Sequence, residues 1–395
     1  MAQQFDFVVV GGGSAGAVIA SRLSEDPKCR VALIEAGERP PEISALPIAP
    51  PAMQLNPATD WMFTADPGKA GLGLNGRRVP VPRGKMLGGS SGINYMMYVR
   101  GHPGDFDAWA AGGATGWSYA EVLPYFRKSE GLAASDEIVI DAAAHDTNRV
   151  AEWQATGRGL GASSLADAVV FCSSGLGDLD RHDTEIICFL TGGNEDFLRT
   201  IINIDTARFF DDPPKRVAND AENLLLLANP VLPHSRGEIV LENADPGVQP
   251  AIRMNYYADP HDMKVMVAAI RRTIEIAAHW PGNRKLGPLM VPPFLAEKHG
   301  YREREEPSDA LLEDFALHFS LTVYHPTSTC RIGDVVDPRL RVNGIERLRV
   351  ADASVMPAVI GGNTNAPSIM IGEKAAEMIA AEHGVRLAEF VGERG

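Results

Sequence analysis

The sequence predicts an α/β protein built from two discontinuous domains, and three observations predict it. The chain opens on a β-branched run that passes through glycines into a helix and then a second such run. A strand, a loop and a long helix return near its end, at 348–351 and 366–382. Between these, short apolar runs at 224–227, 237–241 and 250–254 are separated by Pro, Gly and Asp, which suggests an antiparallel sheet within a mixed α+β region.

Residues 5–10 (Phe-Asp-Phe-Val-Val-Val) carry apolar side chains on successive positions, as a parallel strand covered on both faces requires. Residues 15–23 are small and apolar, suited to a helix lying close on a sheet, and Asp26-Pro27 stops it. Residues 30–35 read as the next parallel strand, completing a β-α-β unit. From 37 to 82 the chain is rich in Pro, Gly and Ala with little periodicity and reads as long connecting loops. A second glycine-dense stretch, 84–92, leads into apolar residues 93–99. Residues 107–130 then suggest short helices bearing Trp109, Trp117, Tyr125 and Phe126. Strands are expected at 169–171 and 185–190, either type at 197–205, and a helix over 261–278 that ends at Trp280-Pro281-Gly282.

Composition narrows the function. Lys and Arg number 37 against 51 Asp and Glu, a formal charge of −14, and no basic stripe offsets it, which disfavours nucleic-acid binding. Hydrophobic residues make up 45% and charged residues 22%, as in globular domains. No run reaches the ~20 apolar residues of a membrane span. Residues 5–20 are interrupted by Gly11, Gly12, Gly13 and Gly16 and lack a basic leader, so they do not read as a signal peptide, and a cytoplasmic protein is expected. Cys29, Cys172, Cys188 and Cys330 are scattered without a CxxC pair, so reduced thiols are expected and no metal site.

The first motif is Gly11-x-Gly13-x-x-Gly16, placed after a strand and opening a helix. In this Rossmann-like setting Gly11 permits the turn, Gly13 lets the backbone approach a pyrophosphate, and Gly16 lets helix and strand pack closely. Ser14 and Ala15 complete the turn, and the helix N-terminus offers N–H groups to phosphate. Glu35, followed by Ala36, closes the second strand, where a carboxylate can accept ribose hydroxyls. This motif alone leaves FAD and NAD both open.

The second constellation is Pro82-Arg83-Gly84-Lys85-Met86-Leu87-Gly88-Gly89-Ser90-Ser91-Gly92-Ile93-Asn94, followed by Arg100-Gly101 and Asp105-Phe106-Asp107-Ala108-Trp109. The third is Tyr324-His325-Pro326-Thr327-Ser328-Thr329-Cys330, then Val350-Ala351-Asp352-Ala353-Ser354, then Gly361-Gly362-Asn363-Thr364-Asn365-Ala366-Pro367 before the last helix. In order and spacing these blocks closely resemble the signatures of the glucose–methanol–choline (GMC) oxidoreductases, FAD-dependent alcohol oxidases and dehydrogenases.

The resemblance implies an FAD-binding Rossmann-like domain from 1–130 and 325–395, and a shortened α+β substrate domain from 131–324. It implies oxidation of an alcohol to a carbonyl by hydride transfer to the flavin N5, with His325 as general base and Asn365 holding the substrate oxygen. Oxygen or another molecule would then take the electrons. The flavin-contacting positions it implies are Arg83, Met86, Gly88, Gly89, Ser90, Asn94, Met96 and Met97, with Asp352, Ala353, Asn363, Asn365 and Ala366, beside Gly11, Gly13, Ser14, Ala15, Gly16, Glu35 and Ala36. Ile93 stands where some members carry the histidine that attaches FAD covalently, so noncovalent FAD is expected.

The match is thin between 131 and 223. The family's second signature is not found there, although Gly161-Ala162-Ser163-Ser164 and Ser174-Gly175-Leu176-Gly177 resemble its ends. Glu130-Gly131-Leu132-Ala133 runs on within a few residues to Ala144-His145-Asp146-Thr147-Asn148, text similar to substrate-domain material. A missing internal segment would leave the first β-α-β unit with an open sheet edge. Two other readings share the implied fold: a flavin-dependent fatty-acid photodecarboxylase and a shortened non-catalytic relative. A nicotinamide-dependent dehydrogenase would share only the first motif.

Overall fold

The computed structural model describes residues 4–130, 155–156, 162–166, 168–178, 180–189, 195–209, 225–280 and 289–388. The stretches around Gly131, Ala144–Asn148, Gly161, Leu224 and Pro281 lie outside the described residues. The chain divides into two compact units. Unit 1 comprises Met1–Trp61, Pro82–Ser164 and His325–Gly395; unit 2 comprises Met62–Val81 and Leu165–Tyr324. Residues 62–81, expected in the first domain, therefore belong to the second.

In unit 1, β1 (Phe7–Val10) and β2 (Val31–Ile34) pair in parallel, Phe7 opposite Val31 and Val10 opposite Ile34, with α1 (Ser14–Leu23) as the crossover. After α2 (Pro50–Met53) come α3 (Pro103–Ala111), α4 (Tyr119–Ser129) and, at the far end of the chain, α10 (Asn365–His383). A Cβ at Gly372 of α10 would fall 2.7 Å from the Ala15 carbonyl of α1, so glycine is what lets these helices meet. The core gathers Leu23, Phe106, Trp117, Phe126, Met370 and Ile371. The Trp117 indole donates to the Pro338 carbonyl at 2.9 Å and the Trp109 indole to that of Ala358 at 3.1 Å, so the buried rings keep their polar partners.

Among the described residues the parallel sheet has two strands only. Val8 and Val10 of β1 and Leu33 and Ile34 of β2 are exposed, Val10 to 80%. The strand expected at 348–351 does not form. A strand needs a ladder partner, and this segment makes a single bridge, Arg349 to Arg341.

Among its described residues, unit 2 holds two sheets. β3 (Phe63–Gly68), β4 (Val79–Val81), β8 (Glu238–Val240) and β9 (Ala251–Tyr256) are ordered β4-β3-β9-β8, with β3 and β9 parallel and the rest antiparallel. β5 (Ala168–Cys172), β6 (Thr184–Phe189) and β7 (Leu225–Pro230) form an antiparallel sheet with β6 in the centre. The three strands expected to share one sheet at 224–254 thus split between two, because β8 and β9 join β3 from the stretch read as loop. Of the ambiguous 197–205 stretch only the first part is helical, in α5 (Glu195–Thr200); Ile204 makes a bridge to Leu74, and α6 is Thr206–Phe209. α7 (Pro260–His279), α8 (Pro293–His299) and α9 (Asp309–Phe319) follow, packed with Leu74, Val79, Leu295, Leu311 and Phe319.

One side chain of the central strand is out of place by polarity. Glu185 of β6 is fully buried, and neither carboxylate oxygen has a hydrogen-bond partner. Burial pushes its pKa up to about 7. No described helix is long and apolar enough to cross a membrane.

Candidate active site

The site is assembled in unit 1 from three parts of the chain. The first is the turn between β1 and α1. Gly11 adopts φ +93°, open to glycine, while its N–H still donates to the Ile34 carbonyl at 2.8 Å. A Cβ at Gly16 would stand 2.0 Å from the Gly11 carbonyl oxygen, so the helix can start this close to the strand only without a side chain. Gly13 is the N-cap of α1. No side chain caps the helix there and no acid occupies its first turn, leaving its positive end for an anion. Glu35 accepts from Gly12 N at 2.7 Å and from Gly37 N at 2.9 Å, one bond to each oxygen. Each oxygen keeps a lone pair for a hydroxyl. Ala36 beside it is exposed.

The second part is the glycine-dense loop. Gly88 N donates to the Gly12 carbonyl at 2.8 Å, and a Cβ at Gly89 would approach Gly13 Cα to 2.8 Å, so the two loops touch backbone to backbone. Ser90 Oγ accepts from Gly84 N at 3.2 Å, and Arg83 N donates to Asp60 at 2.9 Å. Asn94 Oδ1 accepts from Met96 N at 2.9 Å, bending the chain so that Met96, at φ 57°, is exposed and Met97 half-buried. The Met86 side chain is not at this surface. It lies in a small core with Ala49, Met53 and Ile93, so only its backbone can serve a ligand.

The third part is the C-terminal block. Asp352 is exposed and caps the short turn Ala353–Val355 by accepting from Ser354 N at 2.8 Å, while Ala366 is buried in the core. His325 Nε2 lies 3.0 Å from Asn363 Nδ2, and its Nδ1 lies 3.2 Å from Thr364 Oγ1. Asn363 is 3% exposed, and its Oδ1 is buried without a partner. Asn365, expected to hold the substrate oxygen, makes bonds of its own. It begins α10, and its Oδ1 accepts from Ser91 at 2.7 Å and Ser14 at 3.1 Å, the two hydroxyls themselves 2.6 Å apart. The imidazole's amide partner is thus Asn363, two residues earlier, and Asn365 is a clasp joining both glycine loops to α10.

Two contributors escaped the sequence reading. Thr364 offered only its position between two asparagines. Asp105, 1% exposed, stood within a quoted motif without a role. A single oxygen of its carboxylate accepts from His102 N and from Gly361 N, each at 2.8 Å, and so fixes the loop that delivers Asn363.

A dinucleotide turn with an uncapped helix, joined through a clasp to a helix whose start holds an imidazole–amide pair, is the layout of a nucleotide-dependent oxidoreductase. Known proteins agree. Family models described as GMC oxidoreductase match residues 5–177 and 233–372, and the chain belongs to the GMC oxidoreductase family, whose members bind FAD. It is 30% identical to an uncharacterized GMC-type oxidoreductase of Mycobacterium tuberculosis, covering 96% of this chain and all of that one. That alignment extends over 542 positions against 395 residues here, so well over a hundred positions of the relative have no counterpart in this chain. It is 25% identical to human mitochondrial choline dehydrogenase, over 96% of this chain and 90% of that one. In fold it resembles a variant of formate oxidase from Aspergillus oryzae RIB40 (TM-score 0.76, 20% identity, 96% and 98% of the two chains). It also resembles pyridoxine 4-oxidase from Mesorbium loti (TM-score 0.70, 21% identity, 96% and 100%).

The residues present fit FAD. The uncapped α1 end, the side-chain-free faces of Gly13 and Gly89, and the orphaned Asn363 Oδ1 are each complementary to a phosphate, a close-lying cofactor or a polar group.

Proposed function

We propose that this chain is an FAD-dependent oxidoreductase that takes a small-molecule alcohol to its carbonyl, with His325 as base and Asn363 as its partner. The observation that carries the reading is the imidazole held between Asn363 and Thr364 at the start of α10. When bound, FAD supplies the acceptor for the hydride of the alcohol carbon. The α1 N-terminus would hold its pyrophosphate, Glu35 its ribose hydroxyls, and the 88–91 backbone would lie along it. Ile93 is buried and cannot form a bond to it, which supports noncovalent binding.

An alcohol releases hydride as its hydroxyl proton departs. His325 takes that proton on Nε2 as the alcohol hydroxyl displaces the Asn363 N–H from its lone pair. The second N–H of the Asn363 amide can donate to the alcohol oxygen as charge develops there, without competing for the proton. Burial of Asn363 and Thr364 keeps water from these bonds. The names of relatives that act on choline support a small alcohol as substrate.

The test is the visible spectrum of the purified protein before and after denaturation, then with alcohols added. Bound flavin released on denaturation, and bleached by an alcohol beforehand, is the expected result. A protein that stays colourless in excess FAD would sink the reading. It would favour a shortened non-catalytic relative, which the exposed Val8, Val10, Leu33 and Ile34 also suit.

The two asparagines separate cleanly. Asn363→Ala is expected to lower kcat by about 10²–10³-fold with flavin content kept, as loss of one donor to a developing oxyanion does. Asn365→Ala is expected to reduce flavin content while kcat per bound flavin changes little. Equal effects of both on kcat per flavin would refute the assignment.

A further inference from the structure

We propose that Thr364 is a positioning residue for His325, its hydroxyl accepting a hydrogen bond from Nδ1–H and so holding the ring in the tautomer whose lone pair, the one a base needs, is on Nε2. The inference rests on reading His325 as the base.

An amide nitrogen only donates. With Asn363 Nδ2 facing Nε2 at 3.0 Å, that ring nitrogen carries the lone pair, and the proton of a neutral imidazole is on Nδ1. What stands opposite Nδ1, at 3.2 Å, is the Thr364 hydroxyl.

The local structure of α10 gives the second argument. Thr364 is its N-cap, a place where a threonine oxygen ordinarily accepts from the first turn of the helix. The N-caps of α7 and α9 behave so: Asp259 accepts from His261 N and Ser308 from Leu311 N. Thr364 makes no such bond. Its backbone, at φ −95° and ψ 2°, departs from the extended conformation of those two caps, and its hydroxyl goes to the imidazole instead. Its carbonyl accepts from Ser368 Oγ at 2.7 Å, so the residue is anchored to the helix it fails to cap. At 8% exposure, water does not readily replace its oxygen. Consecutive residues of one turn therefore grip both ring nitrogens. In turnover the alcohol hydroxyl would take the place of the Asn363 N–H at Nε2 and leave its proton there, while the Nδ1 proton stays on Nδ1, directed at Thr364.

The experiment is ¹⁵N NMR of the histidine-labelled, flavin-loaded protein, with the His325 signals identified by their loss in His325→Gln. Wild type and Thr364→Ser are expected to show the Nδ1–H tautomer at residue 325. Thr364→Val should move toward Nε2–H, because the Asn363 amide can turn and accept. Its kcat should fall on the order of ten- to a hundredfold with KM unchanged, and serine should restore it. A wild-type signal of the Nε2–H form overturns the proposal even if the valine variant does not fold. So does a valine variant that keeps Nδ1–H and full kcat. An Nδ1–H wild type that oxidises no alcohol would leave Thr364's role standing and refute only the base.

Discussion

His325→Gln is expected to lower kcat for alcohol oxidation by about 10²–10⁴-fold, the range a positioned general base contributes. Glutamine is of similar size, and its amide can still meet Asn363 and Thr364, so the start of α10 should survive. It has no nitrogen that takes a proton near neutral pH. Flavin absorbance should therefore remain, because the α1 turn, Glu35 and the clasp of Ser14, Ser91 and Asn365 keep their own bonds when His325 is replaced. Steady-state kinetics with spectra of the same samples check this. A variant with bound flavin and turnover within a factor of a few of wild type would remove His325 from the chemistry.

The second large effect lies in unit 2. Glu185 holds its proton in the folded state up to about pH 7, against an ordinary value of 4.5, because burial without a partner penalises the carboxylate. The folded state thus binds more protons than the unfolded one between these values, and stability falls as pH rises through that window. The shift corresponds to roughly 3 kcal/mol, lost by about pH 7 and level above it. Glu185→Gln is neutral at every pH. It retains the burial of a polar group, so what should vanish is the slope. Urea unfolding of unit 2's transition at pH 5 and pH 8 measures it. The same slope in both proteins would mean that Glu185 is ionised, or finds a partner, in the fold.

How much could be read from the chain follows from what each residue must do alone. The β1–α1–β2 unit was legible because its glycines, its strand composition and Glu35 all serve local geometry. β3 and β4 were not. Pro67, Gly68 and Pro80 punctuate them as loop, and β3 takes its place between β4 and β9, the latter almost two hundred residues away. The 348–351 stretch failed in the opposite sense, with strand composition but one bridge. At the site, the C-terminal block located the imidazole and its neighbourhood. The repeat Asn-Thr-Asn offered two amides, however, and only the place where α10 begins decides which one faces it. Thr364 and Asp105 act through bonds to other residues of the site, and such bonds leave no mark in spacing.

The clasp has a consequence for how the protein is made. Ser14 and Asn365 are separated by 351 residues, and His325 follows the whole of unit 2 in the chain. During synthesis the dinucleotide turn emerges before unit 2 and the residues that close it emerge after unit 2. The nascent chain must carry β1, β2 and their apolar side chains past the ribosome exit without α10 to pack against α1. Domains generally fold as units in the order they emerge. Unit 2 therefore has every element it needs before α10 is made, and the clasp between the two glycine loops and α10 can close only after unit 2 is complete.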